Sequence, residues 1–316
     1  MSAVEILDLT KDYLRGFWRK RPHRALDRLE LTVEEGEVFG LVGPNGAGKS
    51  TTLKLLMRII YPSAGSARLL GRPFDDVEVH RRIGFLPEAP YFYDYLSARE
   101  FLNYCGQLFG LRPEERRRRI GQLLEQVGLV EAADIALRHF SRGMLQRVGL
   151  AQALINDPDL IFLDEPMLGL DPVGRREVRE LILRLRAAGK TICFSTHVLP
   201  DVESLCDRVA ILNRGRLHGL GRLDEILQLK IEANEVLVGQ ASPQLEQALR
   251  SLVGELRLAG DKLTVTVPQE KLYAVIDCVR QRGGRLLAIQ PVRPSLEDYF
   301  FQEFGTEKVL ELTDQS

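Results

Sequence analysis

This sequence has few cysteines, almost no net charge and no long apolar run. Its four cysteines, scattered along 316 residues, include no CxxC pair, and this argues against a zinc site or a disulfide framework. No apolar run approaches the roughly 18 residues that a membrane-spanning helix needs, and the first residues lack the apolar core of a secretory signal. The formal net charge of −1 gives the chain no overall attraction to nucleic acid. We therefore expect a cytoplasmic protein that does not bind nucleic acid.

The apolar segments that are present predict an α/β fold with a parallel sheet. Val38–Val42 is almost entirely apolar, which is typical of a strand buried on both faces. Further strands are predicted at 160–163, 191–195 and 208–213, with helical stretches between them. Residues 96–156 have helical periodicity throughout, so we predict that they form a helical insertion in that sheet.

The pattern changes after residue 229, which divides the chain into two predicted domains, 1–229 and 230–316. The second contains strand-like stretches separated by two amphipathic helical ones, as in a small α+β domain. About 80 residues are enough for such a domain to fold on its own. Because it carries no phosphate-binding or metal-binding motif, we expect it to serve in an interaction or in bracing a dimer.

One local cluster of positive charge, RKRPHR at residues 19–24, departs from the balanced composition. We predict that it lies in a solvated loop. Contact with lipid headgroups, with a partner protein or with nucleic acid is the alternative interpretation of this cluster.

A glycine-rich segment, GPNGAGKST, follows the strand at Val38–Val42 and opens a helical stretch. It fits the pattern G-x-x-x-x-G-K-[ST] in the strand–loop–helix context that a nucleotide-binding loop requires. Glycines allow backbone N–H groups to turn inward around phosphate oxygens, and the helix N-terminus adds partial positive charge. In this motif the lysine reaches the outer phosphates and the serine hydroxyl binds Mg²⁺. The predicted nucleotide-binding residues are Gly43, Pro44, Asn45, Gly46, Ala47, Gly48, Lys49, Ser50 and Thr51.

Two adjacent carboxylates, Asp164 and Glu165, follow the strand predicted at 160–163. An aspartate at the end of a strand is the usual second part of a phosphate-loop site, where it holds Mg²⁺ together with a residue such as Ser50. Glu165 lies one residue further on, and we predict that it polarises the attacking water as a general base. With Lys49 on the outer phosphates, this site would take ATP and Mg²⁺. The lack of an N-K-x-D segment favours ATP over GTP.

Further segments follow the phosphate loop in a fixed order: IGFLPE, FSRGMLQR, LIFLDEP, LGLDP and STH. In this order and spacing the sequence resembles the nucleotide-binding subunits of ATP-binding-cassette (ABC) transporters over roughly residues 4–229. The resemblance implies a P-loop ATPase core with an antiparallel β subdomain and a helical subdomain. The segment SLED near the end of the chain resembles the small C-terminal extensions of ATPase subunits from prokaryotic exporters.

In this family a signature loop captures the γ-phosphate of an ATP molecule that is held by the other subunit. Ser141 and Gly143 match that loop, whereas Arg142 and Met144 depart from it. Arg142 either adds charge toward phosphate or faces solvent. The resemblance also implies a catalytic role for His197, which would contact the γ-phosphate and orient the water.

Three other positions are assigned by the resemblance. Asp171 is expected at the dimer interface and also fits the cap of a helix. Tyr13 matches the aromatic residue that stacks on adenine, but it lies further from the phosphate loop than is typical, so Phe17 or Trp18 is an alternative. Glu88 stands where the family usually has glutamine; a carboxylate there can bind Mg²⁺ but cannot donate a hydrogen bond when ionised.

The resemblance implies an ATP hydrolase that powers a separate transmembrane permease, and the extension favours an exporter. Two copies of the chain, or the chain and a homologous ATPase, would bind two ATP molecules head to tail on the inner face of the cell membrane. A soluble ABC ATPase acting on ribosomes or nucleic acid is one alternative. An importer subunit is the other.

Overall fold

The computed structural model describes residues 1–15, 21–226, 233–240, 242–253, 256–259 and 262–292. The chain divides into two compact units, and the first contains the whole segment Met1–Ile226. Within the described ranges, none of the helices combines the length and the apolar character needed to span a bilayer.

The described strands form three sheets, and helices separate the strands of the central one. The strands of the first unit are β1 (Ser2–Arg15), β2 (Arg21–Glu34), β3 (Val38–Val42), β4 (Ala64–Leu69), β5 (Arg72–Pro73), β6 (Ile83–Leu86), β7 (Leu160–Asp164), β8 (Thr191–Thr196), β9 (Arg208–Asn213) and β10 (Arg216–Arg222). Those of the second unit are β11 (Ala233–Gly239), β12 (Leu256–Ala259), β13 (Lys262–Pro268) and β14 (Arg285–Val292). The α-helices are α1 (Lys49–Leu56), α2 (Val77–His80), α3 (Ala98–Leu108), α4 (Pro113–Gln126), α5 (Arg142–Ala153), α6 (Pro172–Ala187), α7 (Leu199–Leu205), α8 (Leu223–Ile226), α9 (Pro243–Val253) and α10 (Leu272–Gln281).

The central sheet has the strand order β10-β9-β3-β8-β7-β6. Its neighbouring strands are parallel except for β10, which pairs antiparallel with β9. β3, β7 and β8 are buried along their whole length, so the predicted α/β fold with a parallel sheet is confirmed. Their C-terminal residues meet at one edge of the sheet, where Val42 is in register with Thr196 and Asp164 with Ser195. That edge is where ligands bind in open α/β sheets.

A second sheet, β2-β1-β4-β5, is antiparallel, as the resemblance implies. The prediction that residues 19–24 form a loop is wrong for residues 21–24, which belong to β2 and pair with β1. Arg24 lies 2.9 Å from Asp12 and 2.9 Å from Asp27. Its hydrogen bond is also the main reason why the pKa of Asp12 lies below the usual value. Two carboxylates of the same hairpin therefore form ion pairs with Arg24, whose positive charge had suggested a solvated loop.

The segment between β6 and β7 is the predicted helical insertion and contains α3, α4 and α5. Ser97 and Glu100 form a capping box at the start of α3, each side chain accepting a hydrogen bond from the other's backbone N–H. Pro113 begins α4, where its missing N–H costs nothing. The apolar faces of these helices share one core with β7 and β8, which fixes the start of α5 beside the central sheet.

The second unit is a four-stranded antiparallel sheet with the order β12-β13-β11-β14. Helices α9 and α10 cover the face to which the buried alternate residues of β11 and β13 belong. Val236 and Val265 lie opposite each other on that face and are fully buried. This arrangement has the strands and the two helices that the sequence predicts for a small α+β fold.

Candidate active site

The glycine-rich segment connects β3 to α1 at the ligand-binding edge of the central sheet. Lys49, the first residue of α1, is 5 % exposed, and its Nζ donates to the carbonyl oxygens of Gly43 at 2.6 Å and Pro44 at 3.3 Å. The loop therefore closes around its own lysine. Burial lowers the pKa of Lys49, and the carboxylates of Glu165, Asp164 and Glu88 oppose that effect.

Two glycines in this loop stand where a side chain has no room. A Cβ on Gly43 would lie 2.1 Å from the backbone oxygen of Leu212, at the end of β9. Gly48 has φ +109°, and a Cβ there would lie 2.9 Å from the carbonyl oxygen of Ala25 in β2. Gly46 differs, because its φ is +77° but a Cβ would meet no atom within 4 Å. Steric contact with neighbouring backbone therefore requires glycine at positions 43 and 48, whereas the positive φ of the turn favours glycine at position 46.

Gly43→Ala is expected to lower the free energy of unfolding by about 3 kcal/mol, because the new methyl group overlaps backbone that cannot move alone. Gly46→Ala is the matched control and is expected to lose only about 1 kcal/mol, the cost of a left-handed residue without a clash. Chemical denaturation of both variants without nucleotide compares the two values. Equal losses would show that the contact with Leu212 is not the constraint.

The end of β7 lies beside the start of α1. Asp164 is fully buried, and its Oδ1 accepts hydrogen bonds from Ser50 Oγ at 2.9 Å and from Ser195 Oγ at 2.5 Å. Its Oδ2 is buried without a hydrogen-bond partner in the described part of the chain. A buried carboxylate oxygen that has no donor is costly unless something else binds it. With the adjacent hydroxyl of Ser50, this oxygen fits a divalent cation that prefers oxygen ligands.

Glu165 and His197 form a buried pair across the ends of β7 and β8. His197 Nδ1 lies 2.9 Å from Oε1 of Glu165, and Lys49 Nζ lies 3.6 Å from the same oxygen. Glu165 adopts a left-handed backbone conformation with φ +49°, which is uncommon for a residue other than glycine. His197 Nε2 is buried and makes no hydrogen bond to any described residue. Among the described residues, His197 thus keeps a ring nitrogen without a partner beside the carboxylate of Glu165.

Lys49, Ser50 and Glu165 line a cleft of about 320 Å³, whereas Asp164 and His197 lie behind them and do not line it. Its lining includes Tyr13 and His23, which are cross-strand partners in β1 and β2, together with Glu88 and Glu165. From the phosphate loop it includes Asn45, Gly46, Ala47, Gly48, Lys49, Ser50 and Thr51. Phe17 and Trp18, the alternatives to Tyr13, lie outside the described residues. The cleft therefore brings an aromatic side chain, a phosphate-binding loop and carboxylates together.

The remaining predicted residues stand at two helix starts away from this lining. Ser141 is exposed and caps α5, its Oγ accepting from Met144 N–H at 3.2 Å. Gly143 lies in the first turn of the same helix, and Asp171 caps α6 by accepting from Gly174 N–H at 2.9 Å. None of these predicted residues lines the 320 Å³ cleft. Ser141 and Asp171 therefore cap two helix N-termini and remain exposed to solvent.

Similarity to known proteins agrees with this geometry. Residues 26–168 match the ABC transporter family model. An uncharacterized ABC transporter ATP-binding protein of Synechocystis sp. is 46% identical over 304 residues, which cover 96% of this chain and 84% of that protein. The Nod factor export ATP-binding protein I of Cupriavidus metallidurans is 34% identical over 288 residues, or 90% of this chain and 94% of that protein.

Solved structures show the same core. A structure described as the ATP-binding subunit of an ABC transporter superposes with a TM-score of 0.64 at 33% identity, covering 72% of this chain and 92% of its own. A dimeric ATP-binding cassette in a post-hydrolysis state, bound to ADP and phosphate, gives a TM-score of 0.65 at 27% identity, over 70% of this chain and 98% of its own.

The chain belongs to the ATP-binding proteins of ABC transporters. As an ABC ATPase it is an ATP hydrolase, and the cleft between the phosphate loop and the β1–β2 hairpin is its candidate nucleotide site.

Two residues of this ABC ATPase were missed by reasoning from the sequence. Ser195 contacts Asp164 and Glu165 from β8, and His23 lines the cleft opposite Tyr13. Ser195 lies two residues before His197 inside an apolar strand, and that unusual polarity was the available signal. His23 offered none, because it belongs to a basic segment for which a loop was predicted. Arg142, for which charge toward phosphate and exposure to solvent were the alternatives, is exposed, and its side chain lies over Gly169, where a Cβ would be 2.6 Å from its Nε.

Proposed function

We propose that this ABC ATPase drives a separate transmembrane permease as an exporter subunit, and that two cassettes share each ATP molecule. The observation that carries the proposal is the division of the predicted site. Lys49, Glu165 and Glu88 line one cleft, whereas Ser141 and Gly143 stand outside it at the exposed start of α5. A γ-phosphate held at Lys49 would meet the start of α5 only from a second cassette.

Each ATP molecule would be held first by its own chain. The phosphate loop from Gly43 to Thr51 would bind the phosphates through backbone N–H groups, with Lys49 on the outer phosphates. Tyr13 would stack on the base, because it is the described aromatic residue of the cleft lining that the family pattern singles out.

Mg²⁺ would be held by Ser50 and Asp164. The unpartnered Oδ2 of Asp164 and the neighbouring hydroxyl supply the oxygen ligands that Mg²⁺ prefers. When bound, the ion would neutralise charge that develops on the phosphates. Glu88 lines the same cleft and is exposed, so it is a second carboxylate available to the ion.

Glu165 would act as the general base that removes a proton from the attacking water. His197 at 2.9 Å holds one carboxylate oxygen of Glu165, which leaves the other oxygen for the water. The unpartnered Nε2 of His197 would face the γ-phosphate and fix the orientation of the reacting groups. Neither residue acts unless ATP is clamped, because the signature loop that completes the site belongs to the other cassette.

The exporter assignment is supported by the relatives. The Cupriavidus metallidurans protein is named for Nod factor export, and its similarity extends over 90% of this chain, more than the first unit alone accounts for. Closure of two cassettes around ATP would move the permease, and hydrolysis would reopen them. The chain would then act on the inner face of the cell membrane, as a homodimer or beside a homologous ATPase, with Asp171 at the interface.

Affinity purification from the detergent-solubilised membranes of the source cell tests this proposal. We expect a polytopic membrane protein to co-purify in a stoichiometry of two ATPase chains per transporter, without an extracellular solute-binding protein. A permease accompanied by such a binding protein would favour an importer. Recovery of ribosomes or salt-sensitive binding to nucleic acid, with no membrane protein, would favour the soluble class of ABC ATPases.

A further inference from the structure

A fully buried hydroxyl links the carboxylate of Asp164 to the backbone of Glu165. Ser195 lies in β8 directly opposite Asp164 of β7 and has no exposed surface. Its Oγ donates to Oδ1 of Asp164 at 2.5 Å and accepts from the backbone N–H of Glu165 at 3.0 Å. All of β8 is buried, so these two contacts satisfy a hydroxyl that water cannot reach.

The contacts assign different tasks to the two oxygens of Asp164. A serine hydroxyl can donate only one hydrogen bond. Ser195 donates it to Oδ1 of Asp164, while a lone pair of the same hydroxyl accepts from the N–H of Glu165. Ser50 donates to the same Oδ1 at 2.9 Å. Oδ2 consequently remains buried, without a donor among the described residues, and available to a cation.

The same hydroxyl also holds the backbone of Glu165. The N–H of Glu165 is bound by Ser195 Oγ at 3.0 Å and lies 3.2 Å from the carbonyl oxygen of Ser195. Glu165 has φ +49°, a conformation that costs about 1 kcal/mol or more for a residue with a Cβ. Such a conformation persists only when its surroundings fix it, and it directs the Glu165 carboxylate to His197.

We propose that Ser195 is a positioning residue for ATP hydrolysis: one hydroxyl orients Asp164 for the cation and fixes the backbone of the general base Glu165. This inference deepens the proposed function and rests on it. Ser195 touches neither nucleotide nor water in this role. It acts through the carboxylate of Asp164 and the backbone of Glu165, in the way that groups behind metal ligands orient those ligands.

Ser195→Thr and Ser195→Val form a matched pair that tests the hydroxyl alone, because both add the same bulk and only threonine keeps the oxygen. We expect threonine to retain most of the wild-type kcat. We expect valine to lose about 10–100-fold in kcat and to bind Mn²⁺ about 10–100-fold more weakly in the presence of a non-hydrolysable ATP analogue, as for other groups behind metal ligands. Binding of the analogue without metal should be the same for both.

Electron paramagnetic resonance of Mn²⁺ gives the metal affinity, steady-state assays give kcat and KM, and thermal unfolding reports folding. Equal kcat and equal Mn²⁺ affinity of the two variants would overturn the proposal. If neither variant folds, Ser195→Ala, which adds no bulk, is compared with the wild type by the same Mn²⁺ measurement, and unchanged affinity overturns it. An inactive wild type would count against the proposed function instead, and the Mn²⁺ comparison would still decide the role of Ser195.

Discussion

Replacing Glu165 by glutamine is expected to lower ATP turnover by about 10²–10⁴-fold while ATP still binds. Glutamine has the shape of glutamate but cannot take a proton from water. Its amide oxygen can still accept from His197 and Lys49, which lie 2.9 and 3.6 Å from Oε1 in the wild type. The variant should therefore fold, bind ATP and stop before hydrolysis, so that ATP-bound dimers accumulate.

Two measurements check this expectation together: single-turnover hydrolysis, and the molar mass of the variant with Mg²⁺–ATP. Glu180→Gln is the control, because it makes the same chemical change in an exposed ion pair with Arg176 on α6. Such surface pairs contribute little, so its turnover should equal that of the wild type. Turnover of Glu165→Gln within a few-fold of the control would remove Glu165 from the role of general base.

The parts of the site that could be predicted from sequence are those in which local chemistry is sufficient. The phosphate loop needs glycines, a lysine and a hydroxyl in a short segment, and each works through the backbone of that segment. The buried strand that ends at Asp164, with Glu165 directly after it, could be predicted for a similar reason. Two adjacent carboxylates at the end of an apolar run have few structural explanations.

The parts that could not be predicted depend on which strands are neighbours. Ser195 has its role only because β8 is in register with β7, so that it lies opposite Asp164. The contact between Gly43 and Leu212 likewise needs β9 beside β3, a neighbour 169 residues away in the chain. Sequence periodicity predicts that these strands exist and are parallel, but the order of strands in the sheet is decided by packing.

The hairpin of β1 and β2 shows a different limit. Its basic residues favoured a loop because charge is commonest in solvated segments, yet residues 21–24 pair with β1 and Arg24 is bound by Asp12 and Asp27. One ion pair joins Arg24 to Asp12 on the neighbouring strand, and the other joins it to Asp27, three residues further along β2. The cross-strand pair depends on the register of the hairpin and not on a short stretch of sequence. As a result, His23 went unnoticed although it faces the cleft beside Tyr13.

Replacing Ser141 by arginine is expected to abolish dimer closure and to lower turnover by about 100-fold or more, as for removal of a donor to a transition-state oxygen. Ser141 is exposed at the start of α5, outside the cleft of its own chain. The long side chain would fill the space that a partner's ATP must enter. ATP binding to the single chain should stay nearly unchanged, because Lys49, Ser50 and Tyr13 line the cleft and Ser141 does not.

The helix itself would lose its N-cap, since the hydrogen bond from Met144 N–H to Ser141 Oγ cannot form, at a cost of about 1 kcal/mol. Ser141→Ala removes the cap without adding a large side chain, so it measures the effect of the lost cap alone. Val130→Arg adds an arginine at another exposed position, so it measures the effect of the added charge alone. An effect of Ser141→Arg beyond these two is then due to steric blockage. Each of the three substitutions is combined with Glu165→Gln, and the molar mass with Mg²⁺–ATP is measured by light scattering. Only Ser141→Arg should prevent formation of the ATP-bound dimer. If Ser141→Arg dimerised and hydrolysed ATP like Val130→Arg, the start of α5 would not face a second nucleotide, and the cleft of one chain would have to complete the reaction alone.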